Sequence, residues 1–276
     1  MGMKDIRCRR LGSGWYPQDE ESVRRLCSRW RRCPPSEANA TAAIVPHAGW
    51  AYSGALAYLG LSSLDPDAET IAVVGGHLAA GQTLLLAEER GFETPLGPLE
   101  VDIGLRTRIA EQLETNADRS GDNSVEIHLP LLAYLFPRVR VLWLRAPADR
   151  TAIALGQLLA DESEQRRIAV VGSTDLTHFG PRFGLTRQGT LQENQRWAQT
   201  VNDRGFLDCC LAADADALLA HATENQSACS PGAAAAAVAF SAAAGASVGR
   251  ELGYDNSFRQ THDDSFVGYG TVALSP

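Results

Sequence analysis

Two short apolar runs, residues 42–45 (AAIV) and 70–74 (TIAVV), are each followed at once by a turn that carries a histidine, and residues 52–64 between them have helical spacing. This arrangement restricts the fold more than anything else in the chain. A strand, a crossover helix and a second strand force the two strands parallel, and a right-handed crossover leaves both C-terminal ends on one rim. His47, in Pro46-His47-Ala48-Gly49, and His77, in Gly75-Gly76-His77, are thereby brought to the same edge of a sheet. In open α/β sheets that edge is where ligands collect. A histidine there can ligate a metal or carry a proton, or it can simply bond the backbone of its own turn.

The rest of the chain repeats the strand and helix alternation. Residues 1–40 read as an approach segment, with a helix at Glu20–Trp30 that puts Val23, Leu26, Cys27 and Trp30 on one face and is closed by Pro34-Pro35. Residues 41–276 then form one α/β domain, a mixed, mostly parallel central sheet flanked by helices. Residues 91–102 are turn-rich and extended, like a hairpin, and residues 103–114 form an amphipathic helix. A helix at 124–136 has Asp122 or Asn123 as its N-cap, and Pro130 bends it or sits near its first turn. Strands at 139–144 and 168–171 enclose a helix at 151–160. Helices follow at 192–202, 206–221 and 233–244, the last begun by Ser230-Pro231. Strands at 250–254 and 266–274 complete the pattern.

Bulk properties remove several function classes. A formal net charge of −8 argues against nucleic acid as a partner. The six cysteines contain no CxxC pair, so a disulfide framework or zinc finger reads poorly. The N-terminus lacks an apolar leader, and the alanine-rich stretch near residue 240 is too short and too weakly hydrophobic to span a bilayer. The expectation is a cytoplasmic, reduced protein with no membrane partner and an open oligomeric state. The chain has no GxSxG elbow, P-loop or GxGxxG loop.

Four features fall at strand or helix ends: His47, His77, the pair Asp175 and His178, and Cys229. Two neutral imidazoles and a thiolate can hold a metal while leaving positions open for water or substrate. Cys229 precedes the 233–244 helix, where the helix N-terminus favours a thiolate; a small buried residue is its competing reading. Asp175 can orient His178 as a general base if their turn is helical, or can cap the turn beside an incidental histidine. Glu126 and His128 lie two apart, so on a helix only one would face such a site. His221 reads as a partner of its helix C-terminus, and His262 as part of a polar loop.

These pieces, in this order, resemble the Memo family, including members known as AmmeMemoRadiSam system protein B. The resemblance is carried by Val45-Pro-His-Ala-Gly-Trp50 with Tyr52-Ser-Gly54, by Thr94-Pro-Leu-Gly97 with Val101-Asp102, and by Asn123-Ser-Val-Glu-Ile-His-Leu-Pro130. Ser173-Thr-Asp-Leu-Thr-His-Phe-Gly180, the position of Cys229 and the closing strand at 265–272 complete it. That family is similar in fold to class III extradiol dioxygenases, which use non-haem Fe(II). The resemblance implies a metal set of His47, His77 and Cys229, with Fe(II) as cofactor and copper or zinc as alternatives. It implies His178 and Asp175 as catalytic residues, with Glu126, Asn123, His128 and Tyr52 around the pocket. The implied function is a metal-dependent, dioxygenase-like oxidoreductase acting with O2 on a small, phenolic molecule. A non-catalytic metal-binding or protein-binding module is the alternative, since the animal member also acts as a binding protein in cell signalling. Two departures from the family pattern bear on the site. Gly75-Gly76-His77 is one residue shorter than the usual Gly-Pro-(Ser/Asn)-His, and Asp122-Asn123-Ser124 replaces Glu-His-Ser.

Overall fold

The computed structural model describes residues 5–31, 39–246, 248–261 and 263–275. Strand β1 (Ile6–Arg7) and helix α1 (Glu20–Trp30) lead into β2 (Ala42–Val45), α2 (Trp50–Leu61) and β3 (Thr70–Leu78). Strands β4 (Leu84–Leu86), β5 (Gly91–Phe92) and β6 (Leu99–Val101) follow, then α3 (Ile103–Gln112), β7 (Thr115–Ala117), α4 (Asn123–Glu126) and α5 (Leu129–Leu135). Strand β8 (Arg140–Pro147), α6 (Arg150–Ser163), β9 (Ile168–Ser173) and β10 (His178–Phe179) come next. The chain continues through α7 (Leu191–Trp197), a π-helical turn (Ala198–Asn202), α8 (Asp203–Leu211), α9 (Ala215–Asn225) and α10 (Pro231–Ala243). It ends with β11 (Val248–Asn256), α11 (Phe258–Thr261) and β12 (Phe266–Ser275).

Strands β6, β8, β3, β9 and β2 lie side by side in that order and all run parallel. Beyond β2 the sheet turns antiparallel through β12, which also pairs with β11 and β10; beyond β6 it continues to β5 and β1. The fold is thus the single α/β domain with a mixed, mostly parallel sheet read from the sequence. The two histidine-bearing strands are parallel but not adjacent, because β9 is inserted between them. The rim therefore reads His77, then the 173–178 segment, then His47.

Helix α10 explains why so much alanine is needed. All its residues from Gly232 to Ser241 are buried, and it lies against β3, β8, β9 and α6. A Cβ at Gly156 or Gly172 would run into its backbone, so the helix seats at a distance only small residues allow. Its N-terminus, and with it Cys229, is thereby pinned to the rim.

Several elements depart from the sequence expectation. The 124–136 helix splits into α4 and α5 at His128, with Pro130 in the first turn of α5, where its missing N–H removes no helical bond. The 206–221 helix breaks where Ala213 takes φ +53°. Strand β3 does not stop before Gly75 but bulges and continues, because Leu78 still pairs with Pro147 of β8. Apart from these departures, β1 extends the sheet and α1, formed where expected, packs on α2 and α5. Cys33, Pro34, Pro35 and His262 lie outside the described residues. Among the described residues no helix is long and apolar enough to cross a membrane.

Candidate metal centre

His47 leaves β2 after Pro46 and is buried. Its backbone N–H donates to Asp175 Oδ1 at 2.7 Å and that of Ala48 donates to the same oxygen at 3.2 Å. The Asn123 side-chain amide donates to its carbonyl at 3.1 Å. Its ring Nε2 lies 3.3 Å from the Cys229 sulfur and its Nδ1 lies 3.0 Å from the Ser173 hydroxyl. The histidine is therefore fixed by three separate chain segments, at residues 123, 173–175 and 229.

His77 is reached differently. It takes a left-handed φ of +59°, a conformation that a non-glycine residue holds only when its surroundings impose it. Here the Ser124 hydroxyl accepts from Gly76 N–H at 3.1 Å and the Ser230 hydroxyl accepts from His77 N–H at 3.2 Å. Side chains at Gly75 and Gly76 would collide with these same two serines, so both glycines are required by close approach. The shorter loop is accommodated in this way, and the His77 ring still stands edge-on to His47 with centroids 4.9 Å apart.

Asp122 is the cap of α4 and accepts from Ser124 N–H at 2.9 Å. Its other oxygen lies 2.7 Å from His77 Nδ1, leaving Nε2 for the cluster. Arg145, buried beneath, is 3.2 Å from the same carboxylate and donates to Gly76 O at 2.8 Å. Burial alone would lower the His77 pKa, but the Asp122 hydrogen bond and the nearby Cys229 sulfur outweigh it and raise it to about 9. Burial works against ionisation of Asp122, yet His77 and Ser124 hold its carboxyl well below the usual range.

One ligand atom each from His47, His77 and Cys229 can be chosen so that all lie within 4.8 Å of one another. Two imidazoles and a thiolate at that spacing suit a borderline or soft transition metal. Cys229 is placed by its backbone N–H donating to Asp175 O at 3.2 Å and by Ser230 N–H donating to Thr174 Oγ1 at 3.1 Å.

With the His77 pKa raised to about 9, a metal bound at its Nε2 would have to displace a proton. Affinity for Zn(II) is expected to rise with pH up to about 9, at least tenfold per unit because the Cys229 thiol must give up its proton as well. Below 6.5 the protonated His77 paired with Asp122 stabilises the metal-free fold; that contribution is lost as pH rises through the raised pKa. Chelator competition across the range checks this, and Asp122→Asn should bring the His77 part of the rise down toward ordinary histidine pH.

Asp175 Oδ2 stands 4.0 Å from both His47 Nε2 and His178 Nε2, so it faces both rings without hydrogen-bonding either. The turn is not helical as the shared-face reading supposed, because His178 pairs with Val267 in the β10/β12 ladder. Burial lowers the His178 pKa, more than Asp175 raises it, and the other two histidines lower it further. Its ring stacks on Phe183 at 4.9 Å.

These groups line a cavity of about 410 Å³ that also includes Trp15, Tyr52, Asn123, Phe266 and Tyr269. Tyr52 stands exposed at its rim. Glu126, expected around the pocket, is not there. It accepts from the backbone N–H groups of Arg10 and Leu11 and from the Tyr16 hydroxyl, and so ties the N-terminal segment to the domain. His128 is buried behind the site, with Nε2 2.8 Å from the Ser173 hydroxyl. His221 bonds the Ser227 hydroxyl at 2.9 Å rather than a helix end. Asp122, the partner of His77, and Arg145, which pairs with Asp122, were missed in the sequence; the local signal was the capping position of Asp122. A larger groove of about 760 Å³ shares Trp15 but is walled by Trp30, Trp50, Tyr58 and α2, away from the ligand cluster.

Two histidines and a cysteine gathered on a parallel-strand rim, beside an aspartate and a further histidine, give this α/β protein a group of side chains that could hold a metal ion. The family model for Memo-like proteins matches residues 7–273. The chain belongs to the Memo family. It is 26% identical to a MEMO1 family protein of Thermococcus onnurineus over 98% of this chain and 99% of that one. It is 30% identical to a MEMO1 family protein of Methanothermobacter thermautotrophicus over 83% of each. The solved structure of an uncharacterized Escherichia coli protein is also similar, with a TM-score of 0.49 and 12% identity over 85% of this chain and 99% of that one.

Proposed function

We propose that this chain is a metal-dependent oxidoreductase of dioxygenase-like type, using non-haem Fe(II) or copper held by His47, His77 and Cys229. The observation that carries the reading is the clustering of three ligand atoms within 4.8 Å at a cavity that also contains Asp175 and His178. When bound, such a metal supplies redox chemistry and open positions for O2 and a substrate oxygen. The protein supplies the rest. With its pKa lowered by burial, His178 is neutral near pH 7 and can take a proton at Nε2 from a substrate hydroxyl. Asp175, 4.0 Å away, stabilises the imidazolium that results. Phe183 stacks on that ring, with centroids 4.9 Å apart, and helps to orient it. Trp15, Tyr52, Phe266 and Tyr269 offer flat walls suited to a small phenolic ring. The thiolate softens the donor set, which brings copper and zinc into competition with iron. A cytoplasmic setting would keep Cys229 reduced.

A second reading, a non-catalytic metal-binding or protein-binding module, is favoured by Asn123. Its amide is spent on His47 O and can neither take nor give a proton near neutrality. Oxygen uptake separates the two. Anaerobically Fe(II)-loaded protein is expected to consume O2 with at least one catechol or simple phenol. His178→Ala should slow that reaction by about 10²–10⁴-fold without lowering bound iron. Bound iron with no uptake across the set would favour the module.

A further inference from the structure

The two nitrogens of His47 face opposite ways. Nε2 lies in the ligand cluster, 3.3 Å from the Cys229 sulfur, while Nδ1 lies 3.0 Å from the Ser173 hydroxyl. That hydroxyl is also 2.8 Å from Nε2 of His128. All three side chains are buried. Ser173 is held by the sheet rather than by a loop, since it pairs with Val45 in the β2/β9 ladder.

A hydroxyl has one proton to give. Among the described residues the hydroxyl has no third hydrogen-bond partner, so its proton is used only if one of the two imidazole nitrogens accepts from it while the other donates to it. Two proton arrangements satisfy this rule, and they give the histidines linked tautomers. A neutral imidazole that ligates through Nε2 keeps its own proton on Nδ1. That selects one arrangement: His47 Nδ1–H donates to Ser173, the Ser173 hydroxyl donates to His128 Nε2, and His128 carries its proton on Nδ1. No group changes charge. Among the described residues the His128 Nδ1 has no hydrogen-bond partner, so this arrangement leaves a buried N–H unpaired, a cost that metal binding at His47 must outweigh. Burial keeps His128 neutral, with a pKa lowered to about 3, so it stays able to accept.

We propose that Ser173 and His128 form a neutral positioning relay that couples the tautomer of His128 to metal binding at His47. The relay rests on the reading of His47, His77 and Cys229 as ligands. It differs in kind from the device behind His77, where an acceptor-only carboxylate dictates the tautomer by itself. Because linkage is reciprocal, a His128 locked in the other tautomer would weaken metal binding.

Zn(II), which is diamagnetic, is the probe. In ¹⁵N-labelled, Zn(II)-loaded protein, long-range imidazole NMR spectra are expected to show Nδ1–H for both His47 and His128. Ser173→Ala and His128→Phe should each weaken Zn(II) binding by roughly tenfold in chelator competition. The double variant should lose no more than either single one, because each breaks the same relay. An Nε2–H tautomer for His128 in the loaded wild type would overturn the proposal, as would strictly additive losses or wild-type affinity in Ser173→Ala. The wild-type spectrum decides the matter even if a variant fails to fold. No Zn(II) uptake by the wild type would instead bring down the ligand reading itself.

Discussion

Cys229→Ala is expected to weaken Zn(II) or Fe(II) binding on the order of a hundredfold. Closed four-ligand zinc sites bind with about 10–16 kcal/mol, so one ligand contributes on the order of 3 kcal/mol. Of the three ligands Cys229 alone adds negative charge. Asp175 cannot readily replace it: one oxygen is held by the His47 and Ala48 amides, and the other is 4.0 Å from His47 Nε2. Metal content after dialysis against a weak chelator reads the effect. His47→Ala should behave alike while both variants keep a cooperative thermal transition. Wild-type metal stoichiometry in either variant would remove the centre proposed here.

Glu126→Ala should be the most damaging substitution outside the centre. The carboxylate is buried and accepts from Arg10 N–H at 3.0 Å, Leu11 N–H at 2.9 Å and the Tyr16 hydroxyl at 2.9 Å. Removing it leaves these donors facing an empty, poorly solvated space, and bonds to a charged group are the stronger kind. A loss of about 3 kcal/mol is expected, read as a fall in Tm of roughly 6–10 °C. The effect should reach the cavity, because Trp15 lines it and the Trp15 carbonyl accepts from Trp50 N–H at 2.8 Å. Proteolysis near residues 9–16 should quicken in parallel. An unchanged denaturant midpoint with undiminished protection of that segment would show that Glu126 does not anchor it.

What could be read from the sequence follows from how local each determinant is. The runs at 42–45 and 70–74 and the alanine-rich helix carry their own pattern, and the βαβ rule alone brings His47 and His77 to one rim. Two- and three-residue strands such as β1, β4 and β7 carry no period long enough to detect; they exist because a neighbour offers free backbone groups. The break at His128 depends on tertiary packing that outweighs the helical pattern around it. The hydrogen bonds of Glu126 were illegible for a related reason. Its partners lie 110 to 116 residues earlier, and no spacing rule operates over that distance. The insertion of β9 between the two histidine strands was equally out of reach, yet it is what sets Asp175 between His47 and His178.

The seating of α10 has a consequence for assembly on the ribosome. The third ligand follows the first by 182 positions, and it reaches the rim only when a helix near the C-terminal end of the chain docks onto strands made much earlier. Until then the nascent polypeptide presents two histidines without their thiolate. Closing so long a loop is slow compared with forming local helices. On the proposed ligand set, metal acquisition would be a late, post-translational event, and ribosome-stalled chains ending before residue 229 should hold metal no better than free histidine pairs do.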